Sequence, residues 1–343
     1  MRNIKKIAGR LLLISVVLVL FEIMVEFVYR PYNRYSLYAI RELKECQGEI
    51  DTLFLGTSTA YRGFSPDIFD KELGTFSYNA ATASQPIDGT LALLKDQAAR
   101  NPIERVILGV SQRSLVKEEA YIERKEEVYD RLLSFKEKVS YLIDGCTSEE
   151  WLNLIFYSTR IEKYLDAGQV KKNLAYKLSD AYKENKAPME TYGGRGFLAE
   201  DTIYQGKTYE TITKGESTWK ADEDNEKALI EIMEYCRAND IELILTFIPV
   251  TGAQINSYKD VGAIHDYVQA LADEYEAVFW DFNYYVRVKE EFSNSMFKDK
   301  KHLNEAGGMY FSRLFAEVYQ KYQKGEAIEG YFSDICPYYE NSY

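Results

Sequence analysis

The sequence predicts an α/β protein: a three-layer α/β/α sandwich on a parallel five-stranded sheet, with a helical insertion and a transmembrane helix ahead of it. Three observations carry this. Short apolar runs alternate with helical patterns, as successive βαβ units require. The strand segments read as continuous apolar runs, the mark of a sheet covered on both faces. One segment near the start, 11–29, is far more apolar than the rest.

Arg2, Lys5, Lys6 and Arg10 precede this segment, which is interrupted only by Ser15, Glu22 and Glu26. Its nineteen residues would span about 28 Å as a helix, close to the thickness of a bilayer's hydrocarbon. The basic cluster ahead of it orients the chain with a cytoplasmic N-terminus and an extracytoplasmic remainder. No small-residue cleavage site follows, so the expectation is a single-pass signal anchor in the cell membrane. A buried core helix is the alternative, supported best by the charge-free run 11–21. Glu22 and Glu26 share one helix face. Either they lie at the outer interface, with Glu26 paired to Arg30, or they face a polar partner within the membrane.

Residues 31–49 read as a juxtamembrane helix, and the alternating domain follows over 50–323. Its strands are expected at 51–56, 75–79, 105–109, 241–248 and 277–282. Helices are expected near 66–71, from Pro86 onward through Ile87, Leu91, Leu94 and Ala98, then at 222–239 and 260–276. Proline suits the first helical turn, where its missing N–H is no loss. Asn304 is a natural cap for the last helix, whose core face reads Phe311, Leu314, Phe315, Val318 and Tyr322. Between about 113 and 190 the sequence is charged, Tyr-rich and helical without strands, as an inserted cap would be. The run Gly193-Gly194-Arg195-Gly196 predicts loops, and 324–343 reads as a tail. Five strands so connected make a sandwich of flavodoxin-like shape.

Composition excludes several classes. A net charge of −12 opposes a nucleic-acid partner, which demands a basic face. The four cysteines, Cys46, Cys146, Cys236 and Cys336, show no C-x-x-C spacing, so zinc and redox motifs have no support. Cys236 falls on the apolar face Leu229, Ile232, Met233 and reads as a buried thiol. A Cys46–Cys336 bridge would suit an extracellular domain, but nothing in the sequence brings the two together. No phosphate-binding glycine loop, metal-ligand cluster or dinucleotide fingerprint is present, so no cofactor is implied.

The chemistry-bearing residues sit at the two ends of the domain. Leu53-Phe54-Leu55-Gly56-Thr57-Ser58 ends a strand on a hydroxyl, and Asp299-Lys300-Lys301-His302 immediately precedes the last helix. A serine nucleophile needs a base and a carboxylate to orient it. Only two histidines exist; His265 lies inside a helical pattern, whereas His302 lies in a loop with Asp299 three residues upstream. Thr57 and Thr59 offer neighbouring hydroxyls, but the position after Gly56 and the family position favour Ser58. Helix capping is the plain alternative for both segments.

The ordered set resembles the SGNH (GDSL-like) hydrolase superfamily. Gly56-Thr57-Ser58 matches its first block with threonine for aspartate, and Asp299 with His302 matches its last. Asn79-Ala80-Ala81-Thr82-Ala83-Ser84 is similar to its second block, with Ser84 where the oxyanion glycine belongs. Gly109-Val110-Ser111-Gln112 stands for the third block, without its asparagine. The likeness covers roughly 50–112 and 222–323, and the drift points to the membrane-anchored branch, which includes teichoic acid D-alanine transfer and alginate O-acetylation proteins. The resemblance implies Ser58 as nucleophile, His302 as base and Asp299 as its support. It implies an oxyanion hole from the backbone of Ser58 and Ser84, with Ser111 or Gln112 as third donor or none. Asn79 is expected to bond backbone in its loop, and Asp281 to have a structural role.

The expected function is therefore a membrane-anchored serine acyl-esterase or O-acyltransferase acting on a cell-surface glycan or related polymer. The anchored branch also suggests a membrane-bound O-acyltransferase as partner. A non-catalytic scaffold of the same fold for such an enzyme is the alternative, favoured by the missing asparagine. An ordinary secreted lipase fits less well, given the anchor and the drifted blocks. Among 29 tyrosines and 3 tryptophans, Tyr192, Tyr204, Tyr209 and Trp219 are possible platforms for sugar rings.

Overall fold

Five apolar runs form five strands: β1 Thr52–Gly56, β2 Ser77–Asn79, β3 Arg105–Gly109, β4 Glu242–Phe247 and β5 Val278–Asp281. The computed structural model describes residues 2–111, 114–116, 121–184, 186–187, 191–207, 219–258 and 260–339. All strand pairs are parallel, in the order β2-β1-β3-β4-β5. This is the flavodoxin-like order, in which the chain reverses direction of growth between β1 and β3.

Helices α1 (Arg2–Tyr29) and α2 (Tyr35–Glu45) precede the sheet. Between β1 and β2 lie α3 (Ser58–Gly63) and α4 (Pro66–Leu73), and α5 (Ile87–Ala98) crosses to β3. The long β3–β4 connection holds α6 (Ile122–Arg131), α7 (Phe135–Gly145), α8 (Trp151–Ile155), a 3-10 segment Tyr157–Tyr164, α9 (Ala167–Lys177), α10 (Asp180–Lys183) and α11 (Glu223–Ala238). Helices α12 (Gly252–Tyr258) and α13 (Val261–Glu274) join β4 to β5. The chain then forms α14 (Val288–Glu291) and α15 (Glu305–Gln323).

Strand side chains alternate between two apolar clusters, one on each face. Leu53, Leu55, Val106, Leu108, Leu243 and Leu245 pack with residues of α5, α11 and α13. Phe54, Ile107 and Ile244, in register across β1, β3 and β4, pack with α3 and α15. Phe54 stacks on Phe64 at 4.5 Å, and Phe64 meets Phe315 edge-on at 5.2 Å. Two buried faces explain the unbroken apolar strands.

The insertion is held to α5 by a buried carboxylate. Asp96 accepts hydrogen bonds from the backbone N–H groups of Leu133 (3.0 Å) and Ser134 (2.7 Å), at the α6–α7 turn. Residues 31–49 and the tail are more closely integrated than their sequence suggested. Leu43 of α2 belongs to the same apolar cluster as Leu53, and the Tyr78 hydroxyl donates to the carbonyl of Ala39. Cys336 and Tyr338 are buried in the second cluster, so the tail packs against the domain. On α15 the core face includes Tyr319; Tyr322, assigned to it from the sequence, is 36% exposed. It packs edge-on against Trp280 of the edge strand β5, which leaves one side of its ring in water.

Helix α1 is the one helix among the described residues long and apolar enough to cross a membrane, over Ile4–Tyr29, with a mean hydropathy of 2.7 in its most apolar 18-residue stretch. Its two glutamates have partners. Glu26 pairs with Arg30 at 2.5 Å, and Glu22 accepts from the backbone N–H (2.9 Å) and hydroxyl (2.6 Å) of Ser158. Glu22 thus meets the insertion, and Glu26 the arginine that follows its own helix. Lys177 donates to the carbonyls of Phe27 (2.6 Å) and Arg30 (2.5 Å), and Asn173 to those of Val28 and Tyr29, which closes the end of α1.

At the end of β1, Gly56 has φ +124°, and a Cβ there would stand 2.3 Å from the carbonyl oxygen of Gly109. Backbone cannot yield as a flexible side chain can. Gly56→Ala is expected to lower stability by roughly 3 kcal/mol or more, from overpacking and backbone strain combined. A denaturant midpoint within experimental error of wild type would show that the strand end tolerates a side chain.

Candidate active site

Because β1 ends on Gly56, the chain turns at Thr57 and begins α3 on Ser58 at the C-terminal edge of the sheet, beside the β1–β3 reversal. In open α/β sheets this is where the binding crevice forms. The three consecutive hydroxyls are not equivalent. Thr57 and Thr59 hydrogen-bond each other at 3.2 Å, while Ser58 Oγ lies 2.8 Å from His302 Nε2. Two residues separated by nearly the whole domain thus meet within hydrogen-bond reach.

His302 Nδ1 lies 3.0 and 2.9 Å from the two carboxylate oxygens of Asp299. An ionised carboxylate only accepts, so Nδ1 carries the proton and Nε2 is left as the acceptor for the serine hydroxyl. Asp299 Oδ1 also accepts from the backbone N–H groups of Lys301 (2.8 Å) and His302 (3.0 Å), which folds the four residues into a tight turn. Partial burial pushes the Asp299 carboxyl up. The bonds and charge of His302 and the two backbone N–H groups outweigh it and bring it down to about 2.

The turn is fixed on three sides. Thr251 donates its hydroxyl (2.8 Å) and backbone N–H (3.2 Å) to the Lys300 carbonyl. Glu200 joins Lys298 (2.6 Å) to Arg62 of α3 (3.0 Å), linking the histidine turn to the serine helix. Burial raises the Glu200 carboxyl, but the Lys298 bond and the Arg62 charge hold it below its usual range. Asn304 accepts from the Gly307 N–H at 3.0 Å, the cap expected from the sequence. Gly308 lets α15 approach α3, since a Cβ there would stand 2.3 Å from the Arg62 carbonyl oxygen.

The segment 79–85 forms the other wall. Asn79 is buried, donates to the carbonyls of Ala60 (3.0 Å) and Phe64 (2.9 Å), and accepts from Ala81 N–H (3.2 Å). It bonds backbone, as expected, and in doing so braces α3. Ser84 has φ +46°, in the region that favours glycine, at the position where the resemblance puts a glycine. Ser58, Ser84 and Ser111 line one cleft. Gln112 lies outside the described residues.

That cleft has a volume of about 920 Å³. Much of its lining is charged, with Asp144, Asp222 and Glu231 as well as Lys95, Lys125 and Lys227. Several lining residues were not singled out from the sequence. Gln85 accepts the Gly56 N–H at 3.2 Å and holds the strand end. Asp88 lies against the insertion; burial raises its carboxyl although the Gly89 N–H and Lys125 oppose this. The buried Tyr141 hydroxyl has no hydrogen-bond partner among the described residues. Tyr141 and Lys125 belong to the insertion, whose sequence carries no motif that would have marked them.

The second histidine is occupied elsewhere. His265 bonds Asp281 at 2.9 Å and stacks on Tyr284 at 4.1 Å, so Asp281 has the structural role expected of it. Of the residues expected as sugar platforms, Tyr192, Tyr204 and Trp219 are absent from the lining of the cleft. The Tyr192 hydroxyl donates to Glu42, Tyr204 packs on the second cluster, and Trp219 meets Tyr267 edge-on at 5.1 Å. Tyr209 lies outside the described residues. All four cysteines are free, Cys46 and Cys336 included, and Cys236 is buried as expected. Among the described residues, no three His, Cys, Asp or Glu side chains are grouped to hold a metal ion.

No family model matches the chain, and no curated protein matches it. Among solved structures, a Bacteroides fragilis protein described as a "putative acylhydrolase" is similar over 82% of this chain and 94% of its own, with 11% identity and a TM-score of 0.40.

The depressed Asp299 carboxyl has a consequence for acid stability. The unfolded chain binds this proton more readily than the folded one, so stability rises with pH through the interval between the two pKa values. The contribution is present above about 4 and is lost as pH falls toward 2. Melting temperature should fall over this window in wild type, and less steeply in Asp299→Asn, which keeps the Oδ1 acceptor of the turn. Identical acid slopes would mean that the carboxylate contributes nothing to the turn.

Proposed function

We propose that the protein is an SGNH-type serine acyl-esterase or O-acyltransferase, anchored in the cell membrane with its domain outside, acting on a cell-surface polysaccharide or related polymer. One observation carries the chemistry: Ser58 Oγ, 2.8 Å from His302 Nε2, with Nδ1 held by the Asp299 carboxylate, at the wall of an open cleft. In this reading His302 takes the Ser58 proton as the hydroxyl attacks an ester carbonyl, then returns it to the departing alcohol. Asp299 keeps the imidazole in the right tautomer and stabilises the imidazolium. The oxyanion faces the backbone N–H groups of Ser58, at the first position of α3, and of Ser84. With two donors rather than three, the rate would be lower by a factor of ~10²–10³.

The acyl-enzyme then passes its acyl group to water or to a hydroxyl of the polymer; the acceptor that enters the cleft decides between hydrolysis and transfer. A large cleft with charged walls suits a hydrophilic polymer better than a long alkyl chain, which favours a glycan-type substrate over a lipid. The apolar length of α1 supports the anchor, and a membrane-bound O-acyltransferase is a fitting partner for an anchored domain.

Exposure of the domain to p-nitrophenyl acetate, followed by intact mass, tests this directly. A single acetyl on Ser58 is expected, absent in Ser58→Ala. Asp299→Asn and His302→Ala should each lower kcat/KM by orders of magnitude, and the double variant should be no worse than the poorer single one, because the two act as a unit. A chain that takes up no acetyl and turns over no ester would favour the scaffold reading.

Topology is tested separately. Protease added to intact cells should digest the domain. Complete protection until the membrane is broken would overturn the extracytoplasmic placement.

A further inference from the structure

The membrane-proximal part of the insertion carries apolar surface that neither the fold nor the site uses. Trp151, Leu152 and Ile155 of α8 are 37%, 60% and 45% exposed, whereas Leu154 of the same helix is buried. The helix therefore presents an apolar face to the outside. Its place relative to α1 is set by the 3-10 segment that follows it. Ser158 holds Glu22, Thr159 Oγ1 donates to the Leu152 carbonyl at 3.3 Å, and Arg160 donates to the carbonyls of Asn153 (2.5 Å) and Leu154 (2.8 Å). Ile155 is three residues from Ser158, a reach of at most about 11 Å.

The level of Glu22 is where a bilayer would end. From Ile4 to Phe21 the helix is exposed throughout and covers about 27 Å, close to the hydrocarbon thickness; this shifts the span toward the N-terminus from 11–29, with Lys5, Lys6 and Arg10 in its inner half, where long cationic side chains extend to the headgroups. Beyond that level Val25 is buried against the domain. The helix continues unbroken to Tyr29, where Lys177 and Asn173 close its end. No flexible linker separates span from domain, so the domain sits directly on the bilayer surface. Trp151, one turn before Ile155, donates its indole N–H to the Leu142 carbonyl at 2.8 Å with part of its ring exposed, and is of the residue type enriched at membrane interfaces.

We infer that α8 is a second membrane contact, an interfacial foot that lies in the headgroup region of the bilayer beside α1 and fixes the tilt of the domain on it. This rests on the reading of α1 as a membrane span. Apolar side chains with a snug indole gain burial there, while the Glu22–Ser158 contact seals the junction.

The test uses the full chain in phosphatidylcholine vesicles, with and without lipids brominated near the glycerol end of the acyl chain. The difference between wild type and Trp151→Phe isolates the emission of Trp151 from that of Trp219 and Trp280. Loss of most of the Trp151 emission in brominated vesicles is expected. The Leu152→Asp, Ile155→Asp double variant should abolish that loss while ester turnover by the soluble assay is kept. Undiminished Trp151 emission, or quenching that survives the double substitution, would overturn the inference. Alkaline carbonate extraction distinguishes the two readings: a chain that stays with the vesicles but shows no quenching loses only the foot, whereas a released chain loses the anchor as well.

Discussion

A steric constraint at the end of β1 underlies most of the site. The carbonyl oxygen of Gly109 occupies the space where a side chain at position 56 would begin, so β1 and β3 close together and the chain must leave the sheet sharply. Ser58 opens α3 two residues later because of that turn. Polar groups around so tight an exit are braced: Gln85 accepts the Gly56 N–H, Thr82 N–H donates to the Gly56 carbonyl at 3.1 Å, and Asn79 ties down α3. Buried backbone groups left unpaired here would cost about 1–3 kcal/mol each. The second block is thus a set of braces around the serine before it is anything chemical.

The histidine reaches the serine from the far end of the domain, and its placement depends on contacts from three other segments. Thr251 after β4, Glu200 in the loop before α11, and the cap of α15 each fix one side of the turn 298–302. A turn held only by its own Asp299 would have freedom to move by an ångström or more, which is enough to lose a productive hydrogen bond. Glu200 is of special interest because it grips both Lys298 and Arg62, so serine helix and histidine turn share one anchor.

The insertion joins the two functional regions of the molecule. Its α6–α7 turn is pinned to Asp96, its α7 contributes Tyr141 to the cleft wall, and its later segments hold the end of α1 through Ser158, Asn173 and Lys177. Arg30 and Arg160 meet on Asp130 at 3.2 and 3.1 Å, a shared carboxylate between the end of α1 and the insertion. Burial pushes the Asp130 carboxyl up, but these two charges hold it below its usual range, which favours the charged, paired state. The N-terminal helix is thus tied through one carboxylate to the insertion that forms one side of the cleft.

The layer architecture, the strand positions and the Ser58 and Asp299–His302 segments were legible in the chain's local pattern. Those features rest on local signals: apolar periodicity, turn residues, a cap, and two histidines of which one lies in a loop. It also marked Ser84, whose positive φ follows from the backbone course of a glycine-type position. Only the tertiary structure decided what depends on distant groups meeting. It gave Glu22 to Ser158, drew the juxtamembrane helix and the tail against the domain, moved Tyr322 to the rim, and left Tyr192, Tyr204 and Trp219 away from the cleft. It also put Glu200, Gln85 and Tyr141 around the site. These side chains carry no spacing rule, because each is defined by a partner far away in sequence, and long-range contacts of that kind leave no periodic trace in the chain.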